Sequence, residues 1–249
     1  MTARTPPGWY VISLRPRGEH ALLRRAAARV GAGVIALSPW RLRMRSDDPT
    51  RRALAEALRA PRVLFTSPVA VRAARTLSPL HAREGQQWFA VGAGTAAALR
   101  RAGVAQVHAP ARMDSEGLLS LPGLSRDIGG NLGFVTAPGG RGVLVPELQA
   151  RGFRVLRVDV YEREPVPLPP RAIAQLMAAD VPLKLALSSG EALQLAMAAL
   201  PDAARERLRR AQVLAASERL ADFAREYSFD DIVVARSARP ADLVAAATR

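Results

Sequence analysis

Short apolar runs and amphipathic stretches take turns along nearly the whole chain of 249 residues. The apolar runs fall at 10–14, 34–37, 63–65, 88–91, 106–108, 134–136, 154–161, 183–187, 213–215 and 231–234. They are mostly continuous rather than alternating, as expected of strands buried on both faces. Between them, segments rich in Ala, Leu and Arg with helical spacing predict helices over 19–30, 50–59, 68–76, 94–102, 115–120, 141–151, 170–179, 190–199, 202–209, 217–226 and 240–247. Strand and helix in steady succession predict an α/β fold with parallel sheets covered by helices on both faces.

The units repeat. Residues 11–34 (VISLRPRGEHALLRRAAARVGAGV) and 134–156 (FVTAPGGRGVLVPELQARGFRVL) share an apolar strand, a turn with Pro and Gly, an amphipathic helix and a Gly-marked stop. A second pair, VLFTSPVAVRAA (63–74) and LALSSGEALQLA (185–196), runs a strand into a hydroxyl-bearing turn that opens a helix. Internal repetition on this scale predicts two similar lobes. The Pro-rich EREPVPLPP (162–170) reads as one linker and SPWRLRMRSDDP (38–49) as another. Two crossings give a discontinuous first lobe of 1–38 plus 168–249, and a second lobe of 39–167 that includes the linkers. The N-terminal segment then packs with the later lobe, and two lobes imply a cleft.

Half the residues are apolar, enough for a core in each lobe. The absence of cysteine excludes disulfides, zinc ribbons and thiol nucleophiles. No apolar run reaches the length of a membrane span and the first ten residues lack the apolar stretch of a secretory signal, so a soluble cytoplasmic protein is expected. The formal net charge is +14, almost all of it from arginine, Lys184 being the one lysine. Such charge fits a solvated arginine surface, an anionic small molecule or nucleic acid. The arginines are scattered along helices, no nucleic-acid-binding motif is recognisable and aromatics are 5% of residues, so no specific nucleic-acid partner is expected.

In doubly wound lobes, ligands sit beyond the carboxyl ends of the strands, where helix N-termini present unpaired N–H groups. Here those ends read Thr66-Ser67-Pro68, Gly92-Ala93-Gly94-Thr95, Pro138-Gly139-Gly140, Ser188-Ser189-Gly190 and Ala216-Ser217-Glu218. Helix capping accounts for any one of them; together they would offer many donors to a ligand bearing several carboxylates. Gly92-Ala93-Gly94 lacks the third glycine of a dinucleotide loop, which would fall at Ala97. His20, His81 and His108 are too far apart to suggest a local metal site, and no G-x-S-x-G marks a serine nucleophile. Tyr161, at the crossing between lobes, is either an ordinary edge-strand tyrosine or a phenol reaching the cleft, able to donate a proton to a departing hydroxide.

Taken in order, VLFTSPVAVRAA (63–74), WFAVGAGTAAALRRAGV (88–104), DSEGLLSL (114–121), FVTAPGGRGVLVPELQARGFRVLRVDVYERE (134–164) and LALSSGEALQLA (185–196) resemble the uroporphyrinogen-III synthase family. So does the opening strand with its Arg-Pro turn. The resemblance implies two flavodoxin-like lobes joined by a two-stranded linker, with the N-terminal strands in the C-terminal lobe. It implies a hydro-lyase of tetrapyrrole biosynthesis that closes hydroxymethylbilane, a linear tetrapyrrole with eight carboxylates, to uroporphyrinogen III with loss of water and inversion of ring D. No metal or organic cofactor is implied, and a monomer is expected. Carried over by position, Tyr161 matches the tyrosine that assists loss of the hydroxyl. Ser67, Thr95, Ser188, Ser189 and Ser217 match positions at strand ends, Gly139 and Gly140 the facing turn, and Arg15 the Arg-Pro turn. Val69 and the Ala215-Ala216-Ser217-Glu218-Arg219 turn depart from the family's usual pattern. A non-catalytic two-lobe binder of anionic small molecules is the alternative.

Overall fold

A computed structural model describes residues 7–111, 115–125, 129–139 and 142–248. In chain order the elements begin with β1 (Tyr10–Ser13), α1 (Ala21–Ala28), β2 (Gly33–Ala36) and β3 (Trp40–Met44). There follow α2 (Asp48–Ala57), β4 (Arg62–Phe65), α3 (Pro68–Leu77), β5 (Gln87–Ala90), α4 (Ala93–Arg101), α5 (Ser115–Leu119), β6 (Gly130–Thr136), α6 (Leu144–Ala150) and β7 (Phe153–Asp159). The chain ends with β8 (Tyr161–Pro165), α7 (Pro170–Ala178), β9 (Leu183–Leu187), α8 (Gly190–Ala199), α9 (Asp202–Arg209), β10 (Gln212–Ala215), α10 (Glu218–Glu226), β11 (Ile232–Val234) and α11 (Pro240–Ala246). Two compact units emerge, one of Met1–Leu42 with Glu164–Arg249 and the other of Arg43–Arg163.

Unit 1 is built on a parallel five-stranded sheet in the order β11-β10-β9-β1-β2. Alternate residues of each strand serve opposite faces. Val11 packs with Leu23, Leu214 and Leu243, while its neighbour Ile12 packs with Leu176, Leu193 and Val213. Both faces are therefore dry, which explains the unbroken apolar strands. The N-terminal β1 lies between β2 and β9, so sheet closure brings together segments some 170 residues apart (Tyr10 beside Leu183).

Unit 2 carries a parallel four-stranded sheet ordered β5-β4-β6-β7. One face buries Leu64, Phe89, Leu132, Phe134, Leu148 and Phe153; elsewhere in the unit Phe65 stacks on Trp88, ring centres 5.6 Å apart. Gly133 has a specific reason to be glycine: a Cβ there would lie 2.1 Å from the carbonyl oxygen of Ala57, so its absence lets β6 rest against the end of α2. The predicted strand at 106–108 is reduced to a single parallel bridge, Phe89 to His108.

The two crossings form the two-stranded linker that the family resemblance implies, with one strand boundary shifted. The segment read as one strand over 154–161 breaks at Val160 into β7 and β8, and the two linkers contain the strands β3 and β8. These pair antiparallel, as Arg45 N–H to Val160 O (3.0 Å) and Val166 N–H to Pro39 O (2.9 Å) show. The WRLRM stretch alternates apolar and cationic residues, and YEREP supplies the opposite charges. Arg41 binds Glu164 at 3.0 Å, Arg45 binds Glu162 at 2.9 Å, and Arg43 also pairs with Glu162. Hydrogen bonds from Arg45 and then Arg43 hold the Glu162 carboxyl below the usual range. Cross-strand charge pairing of this kind selects register more than it adds stability.

Candidate functional site

In an open parallel sheet the helices leave by opposite faces where the strand order reverses, and a crevice opens there. In unit 2 that place lies between β4 and β6, and a cavity of about 400 Å³ occupies it. Thr66 and Ser67 line it from the end of β4, Thr136 and Gly139 from the end of β6, and Arg157, Tyr161 and Arg163 from the segment that follows.

Each polar group is fixed by its neighbours. Thr66 Oγ1 donates to Thr136 Oγ1 at 2.8 Å, tying the two strand ends together. Ser67 is the N-cap of α3, its Oγ accepting from the N–H of Ala70 at 3.0 Å, with Pro68 preset for the first turn. The same Oγ lies 3.2 Å from the phenol oxygen of Tyr161, a residue only 4% exposed. Gly139 holds φ +84°, a left-handed conformation natural to glycine, and a Cβ there would stand 3.6 Å from Arg163 Nη1. Arg157 is paired with Asp159 (3.1 Å) and reaches the carbonyl of Ala137 at 3.4 Å. The walls thus combine two guanidinium groups, three hydroxyls and a buried phenol, with apolar surface from Val91, Leu118 and Phe134.

Of the residues expected at the site, Tyr161, Ser67 and Gly139 lie around this one cavity. Thr95 is buried in the first turn of α4 and does not line it. Gly140 lies outside the described residues, as does Asp114 of the DSEGLLSL stretch. The other four belong to unit 1, following adjacent strands on the carboxyl edge of its sheet: Arg15 after β1, Ser188 and Ser189 after β9, Ser217 after β10. Ser189 caps α8, its Oγ accepting from Ala192 N–H at 3.3 Å, whereas Ser217 occupies the N-cap of α10 without a side-chain bond. Ser188 is exposed. Arg15 reaches the carbonyl of Ala238 at 3.4 Å, and burial lowers its pKa against the opposing charge of Glu19.

Two features escaped the sequence reading. Thr136 and Arg157 were read as plain strand residues, although Thr136 ends β6 as Thr66 follows β4, a symmetry visible in FVTAPGG beside LFTSP. The sequence separates His20 from the other two histidines and shows no partner for it. In the fold His20 bridges two buried serines, Nδ1 at 2.9 Å from Ser13 Oγ and Nε2 at 2.8 Å from Ser38 Oγ. Burial, followed by the charges of Arg24 and Arg15, pushes its pKa down to about 4, with Glu19 opposing. Among the described residues no group of three or more His, Asp or Glu is placed to hold a metal ion, and no helix is long and apolar enough to cross a membrane.

Two flavodoxin-like units, one with a hydroxyl- and guanidinium-lined crevice at its switch point, define a class of doubly wound α/β proteins with a ligand site beyond the carboxyl ends of the strands. Comparison with known proteins narrows this. Residues 21–245 match the family model described as Uroporphyrinogen-III synthase HemD, and the chain belongs to that family, whose members are hydro-lyases of tetrapyrrole biosynthesis. The uroporphyrinogen-III synthase of Salmonella typhimurium is 35% identical over 164 residues, covering 63% of this chain and 67% of that enzyme. The Escherichia coli uroporphyrinogen-III synthase is 34% identical over 153 residues, covering 61% and 62%. Among solved structures, a mutant uroporphyrinogen III synthase from Thermus thermophilus aligns with a TM-score of 0.62 at 22% identity, over 96% of this chain and 97% of that one. A uroporphyrinogen-III synthetase from Helicobacter pylori aligns with a TM-score of 0.58 at 14% identity, over 98% and 100%. These two likenesses establish the fold.

Proposed function

We propose that this chain converts hydroxymethylbilane to uroporphyrinogen III, and that the unit 2 cavity is where the hydroxyl departs. The observation that carries the assignment to this cavity is the chain of hydrogen bonds from the N-terminus of α3 through Ser67 to the Tyr161 phenol. Ser67 Oγ accepts from Ala70 N–H, which leaves its own proton free to point at Tyr161 Oη. With Ser67 donating, the phenol proton is directed at a substrate oxygen. The electropositive end of α3 favours electron density drawn toward Ser67, so each bond in the series strengthens the next.

The chemistry then needs little more from the protein. A pyrrole nitrogen lone pair expels the hydroxyl of the terminal hydroxymethyl group, and the proton from Tyr161 converts it to water. The resulting cation is attacked by the substituted carbon of ring D, and the spiro intermediate so formed reopens and recloses with that ring inverted. Loss of a ring proton completes the macrocycle. Departure of hydroxide is the step a general acid accelerates, by about 10²-fold or more in favourable cases. Everything after it depends on holding one folded conformer of a substrate that also closes unaided to the uninverted isomer.

A cavity of about 400 Å³ lies toward the small end of ligand pockets. It suits a terminal pyrrole with its acetate and propionate arms rather than an entire tetrapyrrole. Arg157 and Arg163 are placed to meet those arms, and the apolar wall of Val91, Leu118 and Phe134 to face the ring. Charge-assisted hydrogen bonds from guanidinium to carboxylate supply orientation as much as affinity. The strand-end residues of unit 1, Arg15, Ser188, Ser189 and Ser217, are assigned to other carboxylates of the substrate on the family resemblance.

The test is to incubate the protein with freshly prepared hydroxymethylbilane and separate the uroporphyrinogen isomers. The type III isomer in excess is expected. A protein that only binds anionic molecules would leave the type I isomer of spontaneous closure.

A further inference from the structure

Unit 1 has an open sheet edge with a built-in charge preference. β2 is the terminal strand and pairs with β1 alone. Gly33 N–H donates to Trp9 O and Leu37 N–H to Ser13 O, both at 2.9 Å. In a parallel pair alternate residues address the partner strand. Gly33, Ile35 and Leu37 therefore turn their backbone groups toward β1, and Val34 and Ala36 turn theirs outward. Those outward residues line a groove of about 930 Å³ that runs between α1 and α7.

The groove is one-signed. Arg24 on α1, Arg171 on α7 and Arg17 in the turn before α1 line it, and no aspartate or glutamate does among the described residues. Its floor is held in shape from behind, because His20 fixes the Ser38 hydroxyl to that of Ser13 across the first two strands. An exposed strand edge is a template for another strand, and flanking cations are a common guard against self-pairing. With a formal charge of +14 on each chain and arginines on both walls, two copies would repel one another along this edge. The same guanidinium groups attract a strand of opposite sign.

We propose that the open edge of β2 docks an extended, acidic segment of another protein, which adds a strand to the unit 1 sheet. Main-chain hydrogen bonds to Val34 and Ala36 would supply register, and carboxylates meeting Arg24 and Arg171 would supply selectivity. Nucleic acid could satisfy the arginines but not the ladder.

The test titrates the full-length, isotope-labelled protein with a capped hexapeptide alternating glutamate and valine, up to millimolar concentration, following backbone amide shifts. Saturable shifts at Val34 and Ala36 are expected. N-methylation of alternate peptide amides leaves its charge intact and should weaken binding about tenfold or more, the loss of a pair of main-chain hydrogen bonds. Ala36→Pro, which removes an outward N–H at a site where an edge strand tolerates proline, should do the same. So should Arg24→Glu combined with Arg171→Glu. Absence of shifts at the β2 edge would overturn the proposal and leave the arginines as guards. Equal binding of the N-methylated peptide would overturn it in favour of charge alone, and duplex DNA shifting the same amides at lower concentration would reassign the surface to nucleic acid. Should Ala36→Pro fail to fold, the N-methylated peptide still decides.

Discussion

Ser67 in unit 2 and Ser189 in unit 1 stand at the same point of the same motif. Each follows a buried strand, occupies the N-cap of a ten-residue helix, and accepts a hydrogen bond from the residue three positions on, Ala70 at 3.0 Å and Ala192 at 3.3 Å. The difference is above them. Ser67 has the Tyr161 phenol at 3.2 Å and a cavity beside it, because the chain leaving β7 turns at Val160 and sends β8 past the end of β4. Among the described residues no phenol is bonded to Ser189. A helix cap is thus a scaffold requirement that both units meet, and chemistry is added where a later segment delivers a second group to the cap.

The comparison can be broken at its scaffold. Gly133→Ala in β6 should be the most damaging change, since a Cβ 2.1 Å from the Ala57 carbonyl can be relieved only by moving α2 off the sheet. A loss of about 3 kcal/mol or more, read from chemical denaturation, is expected. By contrast Gly190→Ala, at the start of α8 in unit 1, meets only the Phe223 ring at 3.1 Å and gains helix propensity, so its change should stay below about 1 kcal/mol. Similar losses from both would mean that the backbone contact at Gly133 is no more constraining than the ring contact at Gly190.

Acid should distinguish the units next. His20 has its folded pKa depressed to about 4, below its ordinary value of 6.5. The unfolded chain therefore binds the proton more readily. Stability from the neutral His20 bridge is complete above the unfolded pKa and is lost as pH falls toward the folded one. After discounting for solvent in the adjoining groove, a loss of roughly 2 kcal/mol between pH 6.5 and 4 is expected, and it should vanish in His20→Gln. Denaturation curves at several pH values would show it; a His20→Gln protein with the same acid slope would refute the assignment.

The smallest effects sharpen the comparison most. Ser67→Ala and Ser189→Ala should each cost about 1 kcal/mol of stability, the usual worth of an N-cap. Turnover should separate them, with Ser67→Ala slowing conversion by about tenfold, as loss of one hydrogen bond to a developing charge implies. Ser189→Ala should slow it less.

Much of the fold could be read from the residues, for reasons visible in individual elements. Pro201 and Asp202 separate α8 from α9 so sharply that both ranges follow from the sequence, and the doubly buried strands carry unbroken apolar runs. The crossings were harder. WRLRM has the alternation of a half-exposed strand within the linker, but its register follows only from the partners Glu162 and Glu164 on the opposite strand. At the site, a hydroxyl before a helix could be recognised as a cap, whereas its second partner could not. Ser67 and Tyr161 are 94 residues apart and meet only through sheet order. His20 shows the same limit, since Ser13 and Ser38 become its neighbours only when β1 and β2 pair. Thr95 shows the reverse, for its place in the first turn of α4 turned the hydroxyl into the interior.

The most direct measurement is the initial rate at which Tyr161→Phe consumes freshly prepared hydroxymethylbilane, beside the wild type and the unaided reaction. Phenylalanine keeps the ring in its buried place and removes only the proton donor. A fall of about tenfold or more is predicted, with the uninverted isomer rising in the product as spontaneous closure competes. An unchanged rate and an unchanged yield of the type III isomer would contradict the assignment of hydroxyl departure to the Ser67–Tyr161 pair.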